Sequence, residues 1–558
     1  MAVGVARSKS LRNQLETRWS ELNTDFTRWE PHFRQLRDYV QPRRGRFSLG
    51  ERRETEFVSN KIIDAEARRA LRTLESGLMA GMTSPSRPWF RLGLRDSQDA
   101  DANNTRLWLH TVEGRMYEVL RVSNIYNVLP MAYRELGLFG SDAMLLLPDF
   151  DTVVHGFPFT MGEYRIASDP KGRIDTVYRR INKTVKFLVE TFGKSVSKQV
   201  QTAFDNGNLA MKHPIFHAIE PNINRRLNSP APQDRPFASV YWDAQDADDK
   251  LLEVAGYVNN PLVASRWEVL PDEDYGFSPA MDALGDAKQL QSQHFFKAEG
   301  IQKQVRPPMV APVSLRNAGD RPNTSPSGVT FLDTASMQKG GFRSAFDVKP
   351  DIQGLLLDIN QTQERIRSSF FADLFLLTAM SDRRQVTATE IAERHEEKLL
   401  MLGPVLERLQ NELLQRVIEL VFTYMQEAQL IPEAPEDMVG SPLRVEYIST
   451  LAQAQKAVGV ASIERTVGFA GTLAQLGFPE ALDKINADQA VDEFAAMVGP
   501  APTTVRSDEE VAQIRADRQE QERMQQLIEA APAMTGAAKV AADIADRGQA
   551  GQAEAAAI

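Results

Sequence analysis

Two pairs of side chains in the sequence have spacings that could bind a metal ion. In HPIFH, His213 and His217 lie four residues apart, as paired zinc ligands do on a helix. Pro214 and its neighbours predict an extended segment instead, on which residues four apart also share a face. In PDFDTV, Asp149 and Asp151 lie on one side of a predicted strand, where two carboxylates could hold a metal or act as acid and base. Because no third ligand is close to either pair in the sequence, we interpret them as structural histidines and a solvated loop edge.

Two further stretches resemble parts of known active sites. FGKS, at 192–195, contains a Gly–Lys pair, but a phosphate-binding loop also needs a glycine five residues before that glycine, and position 188 is a leucine. In RHEEK, His395 is followed by Glu396 and Glu397. Adjacent side chains on a helix point apart, so neither carboxylate is placed to orient the histidine. We therefore predict no catalytic residue, no metal site and no cofactor, and a protein that is not an enzyme.

The composition excludes several classes of protein. The chain has 558 residues, of which 42% are hydrophobic and 25% charged, values typical of globular proteins with roughly three or four domains at this length. It contains no cysteine, which excludes a disulfide, a thiolate metal site and a cysteine nucleophile. The N-terminal residues have no apolar run typical of a signal peptide. No stretch approaches the roughly 18 apolar residues of a membrane span, so we expect none.

The net charge of −10 is unevenly distributed along the chain. Residues 1–46 contain 10 basic and 5 acidic residues, whereas residues 431–558 contain 10 basic and 20 acidic residues. Since affinity for phosphate groups needs Lys and Arg, a net negative chain is not typical of a tight DNA-binding protein. Such a chain could still surround DNA without binding it tightly.

Apolar spacing predicts helices in the first part of the chain and a mixed region after it. Residues 8–41 repeat apolar side chains along one helical face, and Pro31 should end or kink that helix. Further helices are predicted at about 60–82 and 102–122. From 142 to 270 the short β-branched and aromatic runs, separated by Gly, Pro and Asp, predict strands with helices between them. The fold class is therefore mainly α with an α+β portion.

Two long helices are predicted on either side of a compact insertion. Ser278 is a predicted N-cap with Pro279 at the first helical position, and helix resumes at about 351. Each helix of about 20 residues is roughly 30 Å long. Residues 298–350 between them are rich in Pro, Gly, Ser and Asn and predict a small irregular or β-containing module.

A further long helix has a clear start and an internal proline. Thr387 and Glu390 match a capping box, in which each residue bonds a free backbone N–H of the first turn. From Leu402 to Leu420, leucines and a valine repeat at steps of three and four residues, which gives one apolar face. Pro404 lies on this helix and should kink it, because proline lacks an N–H and crowds the preceding turn. Just before the helix, Arg383 and Arg384 lie on a predicted loop, where they could contact phosphates.

Four stretches of the sequence, in their order and separation, resemble one protein family. This is the family of portal, or head-to-tail connector, proteins of short-tailed double-stranded DNA bacteriophages (podoviruses), and the resemblance covers about residues 10–430. The stretches are SGLMAGMTSPSRPWFRLGL (76–94), RWEVLPDEDYGFSPAMDALGDAKQLQ (266–291), KQVRPPMVAP (303–312), and FFADLFLLTAM with TATEIAERHEEKLLMLGPVLERLQNELL (370–414).

The resemblance implies a phage portal fold and a closed ring of about twelve subunits around a central channel. In that ring the long kinked helix would be a strut that turns a corner between layers and carries no chemistry. The implied domains are a wing at 1–277, stem helix 1 at 278–297, a clip at 298–350, stem helix 2 at 351–372, a tunnel loop with the long kinked wing helix at 373–430, and a helical crown with the C-terminal tail at 431–558.

The resemblance also implies a function and partners. The ring would be the conduit at one capsid vertex through which genomic DNA is packaged and ejected. It would bind the packaging terminase, tail adaptor proteins, and the major capsid and scaffolding proteins. It would be part of the virion, assembled in the host bacterial cytoplasm. Carrying the family's loop positions onto this sequence makes Arg383, Arg384, Lys303 and Arg306 the candidates for proximity to DNA.

Two other functions stay open at this point. One is a metal-dependent nuclease or phosphoryl-transfer enzyme that uses Asp149, Asp151 and a distant carboxylate. The other is a helical oligomeric scaffold that associates through the apolar face of 387–430 without DNA passage.

Overall fold

The structure is a computed structural model, and its contacts divide the chain into two compact units. The first unit comprises Met1–Asp96 and Asn104–Gln455, and the second Ser97–Asn103 and Lys456–Ile558. The residues that the structure describes are 2–47, 61–94, 103–243, 245–246, 250–306, 309–310, 343–344, 351–375, 401–435, 443–449, 451, 466–491 and 510–523.

The first unit is mainly helical. Its first helix is continuous through Pro31, so the proline does not end the helix as the sequence had suggested it could. The described helices of this unit are α1 (Ala2–Tyr39), α2 (Glu66–Met82), α3 (Asn103–Val122), α4 (Ile125–Phe139), α5 (Val185–Phe192), α6 (Lys198–Asp205), α7 (Pro279–Asp282), α8 (Leu284–Val305), α9 (Ile352–Ser369) and α10 (Gln415–Glu427).

The strands form antiparallel sheets, with β4-β5-β6-β7-β8 in the largest, β3-β2-β9 in a second, and the pairs β1-β12 and β10-β11. The prediction of a mainly α fold with an α+β portion is confirmed at this level. The strands are β1 (Phe90–Leu94), β2 (Ser141–Asp149), β3 (Val153–Pro158), β4 (Tyr164–Ser168), β5 (Ile174–Thr184), β6 (Lys212–Pro221), β7 (Phe237–Trp242), β8 (Leu251–Tyr257), β9 (Leu262–Arg266), β10 (Met309–Val310), β11 (Arg343–Ser344) and β12 (Leu443–Tyr447).

Helices cover both faces of the five-stranded sheet. On one face, Leu15 and Leu22 of α1 pack with Tyr178 and Trp242 of the sheet. On the other face, a second cluster includes Val185, Leu188, Val200 and Ile215, from α5, α6 and β6. Burying one such side chain stabilises the fold by roughly 1.5–3 kcal/mol. The apolar residues that alternate along the strands therefore pack against helices on both faces of the sheet.

The end of α4 is fixed by a glycine in a close approach. Gly140 caps the helix with φ +77°, and a Cβ built on it would lie 2.2 Å from the carbonyl oxygen of Gly276. Only glycine has neither a steric penalty at this φ nor a side chain to clash. The turn leads directly into β2, so this contact fixes where β2 of the three-stranded sheet begins.

The long helix before residue 430 departs from α-geometry in its middle. Residues 401–409 are helical, Gln410–Leu414 form a π-helical turn, and α10 follows without a break. The hydroxyl of Tyr447 donates to the carbonyl oxygen of Gln410 at 2.9 Å, and thus pairs a carbonyl in the irregular turn. Such turns leave backbone groups that need partners outside the helix.

The predicted apolar face of this helix is buried, including Leu402, Leu406, Leu409, Leu413 and Val417. Pro404 lies in the helical stretch 401–409 with its side chain exposed. Its role as a kink stays a prediction. Thr387 and Glu390, the predicted capping box, lie outside the described residues.

The range after 431, predicted to be helical, contains a strand. Residues of β12 pair with β1 in the antiparallel register Phe90↔Tyr447 to Leu94↔Leu443. The other edge of β1 is paired with side chains, since Tyr117 accepts from the backbone N–H of Phe90 at 2.8 Å and Glu113 from that of Leu92 at 2.7 Å. Alternation over only five residues was too short a signal to separate this strand from its helical surroundings.

The second unit consists of short helices where it is described. Residues 466–475, 487–491 and 510–523 are helical, and Pro479–Lys484 form a 3₁₀ turn. Arg515 donates two hydrogen bonds to the carboxylate of Asp488, at 2.7 and 2.6 Å. Over the described part of the chain, none of the helices is long and apolar enough to cross a membrane.

Candidate functional site

The predicted stem is a hairpin of two antiparallel helices. Ser278 caps its entry, where the side-chain oxygen accepts from the N–H of Met281 at 3.1 Å, as the sequence predicted. The first long helix, α8, extends to Val305, eight residues beyond the boundary at 297 that the resemblance implied. The second, α9, is capped by Asp351, which accepts from the N–H of Gly354 at 2.9 Å.

The interface between α8 and α9 mixes apolar and polar contacts. Leu290 of α8 and Ile359 and Ile366 of α9 are buried. Between them, the side-chain amide of Gln293 donates to Asp358 at 2.5 Å and to the hydroxyl of Thr362 at 3.1 Å. A buried amide paired in this way fixes the register of the two helices, because a shift by one turn would leave it unpaired.

The base of the hairpin is held by hydrogen bonds and an ion pair to Ile63, Asp64 and Glu66, at the start of α2 and just before it. The carbonyl oxygen of the Gln291 side chain accepts from the backbone N–H groups of Ile63 at 2.6 Å and Asp64 at 2.8 Å. The amide of Gln363 donates to the Asp64 carboxylate at 2.9 Å. Arg367 pairs with Glu66 at 2.6 Å. Both helices of the hairpin are thus attached to the same short segment, a joint that we name the polar joint.

The candidates for DNA proximity are only partly within the described residues. Lys303 lies in the last turn of α8, about half exposed, with its ammonium 2.7 Å from the carboxylate of Glu299. A lysine at a helix C-terminus is favoured by the helix dipole. Arg306 follows the helix, exposed, and its backbone N–H donates to Gln302 at 2.7 Å. Arg383 and Arg384 lie outside the described residues.

The two histidines that suggested a metal site are each paired with separate protein groups. His213 contacts the carboxylate of Asp243 at 2.7 Å. His217 contacts the Ser239 hydroxyl at 3.0 Å and accepts from the guanidinium of Arg179 at 2.9 Å. Burial, and then the charge of Arg179, hold the pKa of His217 well below its usual value. Its neutral ring accordingly accepts the bond from Arg179.

The aspartate pair is part of a tight turn. Asp149 ends β2, and its carboxylate accepts from both the N–H and the hydroxyl of Thr152, at 2.9 and 2.8 Å. These bonds to Thr152 lower the pKa of Asp149. Asp151 is exposed in the same turn. Within the described residues, no group of three or more His, Asp or Glu side chains is arranged to hold a metal ion.

The stretch that suggested a phosphate loop is a short connection between two helices. Gly193–Ser195 form a single 3₁₀ turn after α5, and Gly193 has φ +53°. The side chain of Lys194 is exposed. His395 lies outside the described residues.

The polar joint was not predicted from the sequence. Gln291 and Gln363 are ordinary residues for an exposed helix, and Asp64 lies more than 200 residues from either helix along the chain. A single sequence carries no signal for contacts of this range. The sequence contains one weaker signal, since helical periodicity places both glutamines on the buried faces of their helices.

Comparison with protein families identifies the class to which the chain belongs. Residues 12–505 match the model of the family described as "Bacteriophage head to tail connecting protein". The chain therefore belongs to the bacteriophage head to tail connecting protein family. The resemblance stated from the sequence alone is confirmed.

Two curated relatives specify the role within this class. One, called a probable portal protein, from Bordetella phage BPP-1, is 43% identical over 454 residues, 81% of either chain. The other, called a portal protein, from Salmonella phage epsilon15, is 40% identical over 530 residues, 95% of either chain. The role of this chain is that of a structural bacteriophage portal protein.

Among solved structures, the chain resembles one from the virion of a native gene transfer agent particle. The two are 10% identical, with a TM-score of 0.37, and the similarity covers 82% of this chain and 96% of the other. A score this low supports no conclusion about the fold.

Proposed function

We propose that this portal protein forms a ring of about twelve subunits at one vertex of a phage capsid, with a channel through which double-stranded DNA is packaged and ejected. The observation that carries the proposal is the family match over residues 12–505. A closed ring of identical subunits is the assembly that provides a central passage. The phage would be short-tailed, and the ring would assemble in the host bacterial cytoplasm before it becomes part of the virion.

The proposed domains follow the division inferred from the sequence. The wing is 1–277, the clip 298–350, the tunnel loop with the long wing helix 373–430, and the crown with the C-terminal tail 431–558. The stem is the hairpin of 278–297 and 351–372, and the continuous helix to Val305 extends stem helix 1. Within the clip, β10 and β11 pair over two residues, which supports a small β-containing module there.

The proposed partners act on different layers of the ring. The packaging terminase supplies the energy for DNA movement, since the portal itself performs no catalytic step. Tail adaptor proteins replace the terminase after packaging, and the major capsid and scaffolding proteins surround the ring.

The proposed DNA-proximal residues suit passage better than tight binding. Each phosphate that a basic side chain neutralises strengthens binding through the release of counterions. The ammonium of Lys303 is already paired with Glu299, so its attraction for a phosphate is reduced. With Arg306, Arg383 and Arg384, it would place a few weak contacts along the channel, and DNA could move past them in both directions.

The test is the packaging and retention of DNA by phage that carry variants of this chain. Arg383→Ala with Arg384→Ala, and Lys303→Ala with Arg306→Ala, are expected to leave assembled heads but to change the length of DNA retained per particle. Lys194→Ala with Arg225→Ala, two exposed cations outside these regions, is the matched control. Packaging and retention equal to the parent in both test variants would contradict the proposed role of these residues.

A further inference from the structure

The hairpin of α8 and α9 exposes large apolar side chains. The exposed fractions are 56% for Phe295, 61% for Phe296 and 61% for Leu357. The two phenylalanine rings lie edge to face, 5.7 Å between centroids. Adjacent exposed aromatic residues on a regular helix are typical of a surface that another protein covers.

The same part of the hairpin has few charges. From Gln289 to Val305 the charged residues are Lys297, Glu299 and Lys303, and from Ile352 to Gln363 the one charged residue is Asp358. Of these, Lys303 pairs with Glu299 and Asp358 accepts from Gln293. Interface centres are depleted of charge, whereas the solvated face of a helix is usually rich in it. The composition of this surface therefore favours a protein contact.

The two phenylalanines point to different sides of the hairpin. Phe295 follows Gln291 by four residues and so lies on the side that contacts the polar joint. Phe296 is rotated from Phe295 by about 100°. It follows Gln293 by three residues, on the side where Gln293 meets Asp358. The apolar surface is thus present on two non-equivalent sides.

We propose that this surface is the contact between the hairpins of neighbouring copies of the chain, in which the Phe295 side of one copy meets the Phe296 side of the next. A head-to-tail contact that repeats around a ring needs two different, complementary sides on every subunit. A partner that bound only one of the two sides would leave the other exposed. The inference rests on the proposed ring, and it specifies which residues hold adjacent stems together.

The first test measures assembly of the full chain by sedimentation velocity over a range of protein concentrations. Phe295→Glu and Phe296→Glu are expected to raise the concentration needed for half-assembly at least about ten-fold. The physical reason is that each buries a charge without a partner. Ile223→Glu, at a side chain 92% exposed in the β6–β7 connection, should assemble like the parent. Circular dichroism checks that all three variants remain folded.

Each outcome of this test decides a different point. Assembly of both phenylalanine variants at the parent's concentration would overturn the proposed contact while leaving the ring intact. A parent chain that stays monomeric at all concentrations would instead contradict the proposed ring itself, and the contact with it.

The second test uses the absence of cysteine from the chain. Single variants Phe295→Cys and Phe296→Cys, and an equimolar co-assembly of the two, are treated with a short bismaleimide and separated under denaturing conditions. A head-to-tail contact predicts covalent dimers from the co-assembly and little cross-linking from either single variant alone. Dimers from a single variant would show a two-fold contact and overturn the proposal, as would the absence of cross-links in all three.

Discussion

In the five-stranded sheet the large apolar side chains pack against helices on both faces, whereas in the hairpin of α8 and α9 six of them are exposed: Phe295, Phe296, Ile301, Val305, Leu356 and Leu357. The sheet packs Trp242 and Tyr178 against α1, and its buried histidines are each paired within the same region. The hairpin has a narrow buried interface and is attached at its base by the polar joint. The sheet is thus stabilised within one copy of the chain, and the hairpin leaves surface available for contacts between copies.

The largest loss of stability is expected from a substitution in the five-stranded sheet. Trp242 is 1% exposed and stacks on Phe216 with 5.3 Å between ring centroids. Replacing it with alanine should lower the free energy of unfolding by about 3–5 kcal/mol, because the cavity cannot close fully. Phe296→Ala in the hairpin should change it by less than about 0.5 kcal/mol in unassembled protein. Denaturant titration at low protein concentration measures both, and equal losses would remove the contrast between the two regions.

An intermediate effect is expected at the polar joint. Gln291→Ala would leave the N–H groups of Ile63 and Asp64 without their present acceptor. Because these N–H groups are only partly buried, water can replace the lost acceptor, and the expected cost is about 1 kcal/mol, the low end of the range for a lost hydrogen-bond partner. Hydrogen exchange of the Ile63 and Asp64 amides should become faster, while amides of β5 and β6 keep their protection. Gln289→Ala, at an exposed position of the same helix, is the control. Unchanged exchange in Gln291→Ala would show that the joint contributes little to holding the hairpin.

A smaller, pH-dependent effect is expected from a buried acid in β2 of the three-stranded sheet. Asp142 is 1% exposed, and none of the described side chains forms a hydrogen bond with its carboxyl oxygens. Burial, and then the nearby carboxylate of Glu135, raise the pKa of Asp142 well above its ordinary value. The other charged group close to it is Arg44, which pairs with Glu135 at 3.3 Å, and Tyr164 also faces this cluster.

The sign of this effect follows from the raised pKa. The folded state holds the proton of Asp142 at pH values where the unfolded chain has lost it, so stability falls as pH rises above about 4, the ordinary range of an aspartate. An asparagine at this position cannot ionise, so the Asp142→Asn variant should not lose stability in this way. Its stability relative to the parent should therefore rise as pH increases from 5 to 8. Thermal unfolding at each pH measures the difference in melting temperature between the variant and the parent. A difference that stays constant with pH would show that Asp142 ionises in the folded protein as it does in the unfolded chain.

Local patterns along the chain predicted the sheet better than they predicted the hairpin's attachments. The strands around Ile215 and Val240 follow from alternating β-branched and aromatic residues, and Ser278 from its place before Pro279. The partners of Gln291 and Asp64 depend on residues more than 200 positions apart. The π-helical turn at Gln410–Leu414 is accompanied by a hydroxyl from Tyr447, which periodicity within the helix cannot reveal. Local sequence patterns predict helices and strands, whereas the contacts between them depend on the tertiary fold.

Assembly of copies of the chain through the hairpin would cover its exposed apolar surface. The most direct measurement is electron microscopy of the purified full-length chain, combined with its mass from light scattering. The expected result is a ring of about twelve subunits with a central channel wide enough for duplex DNA. A monodisperse monomer or dimer over a range of protein and salt concentrations would contradict it.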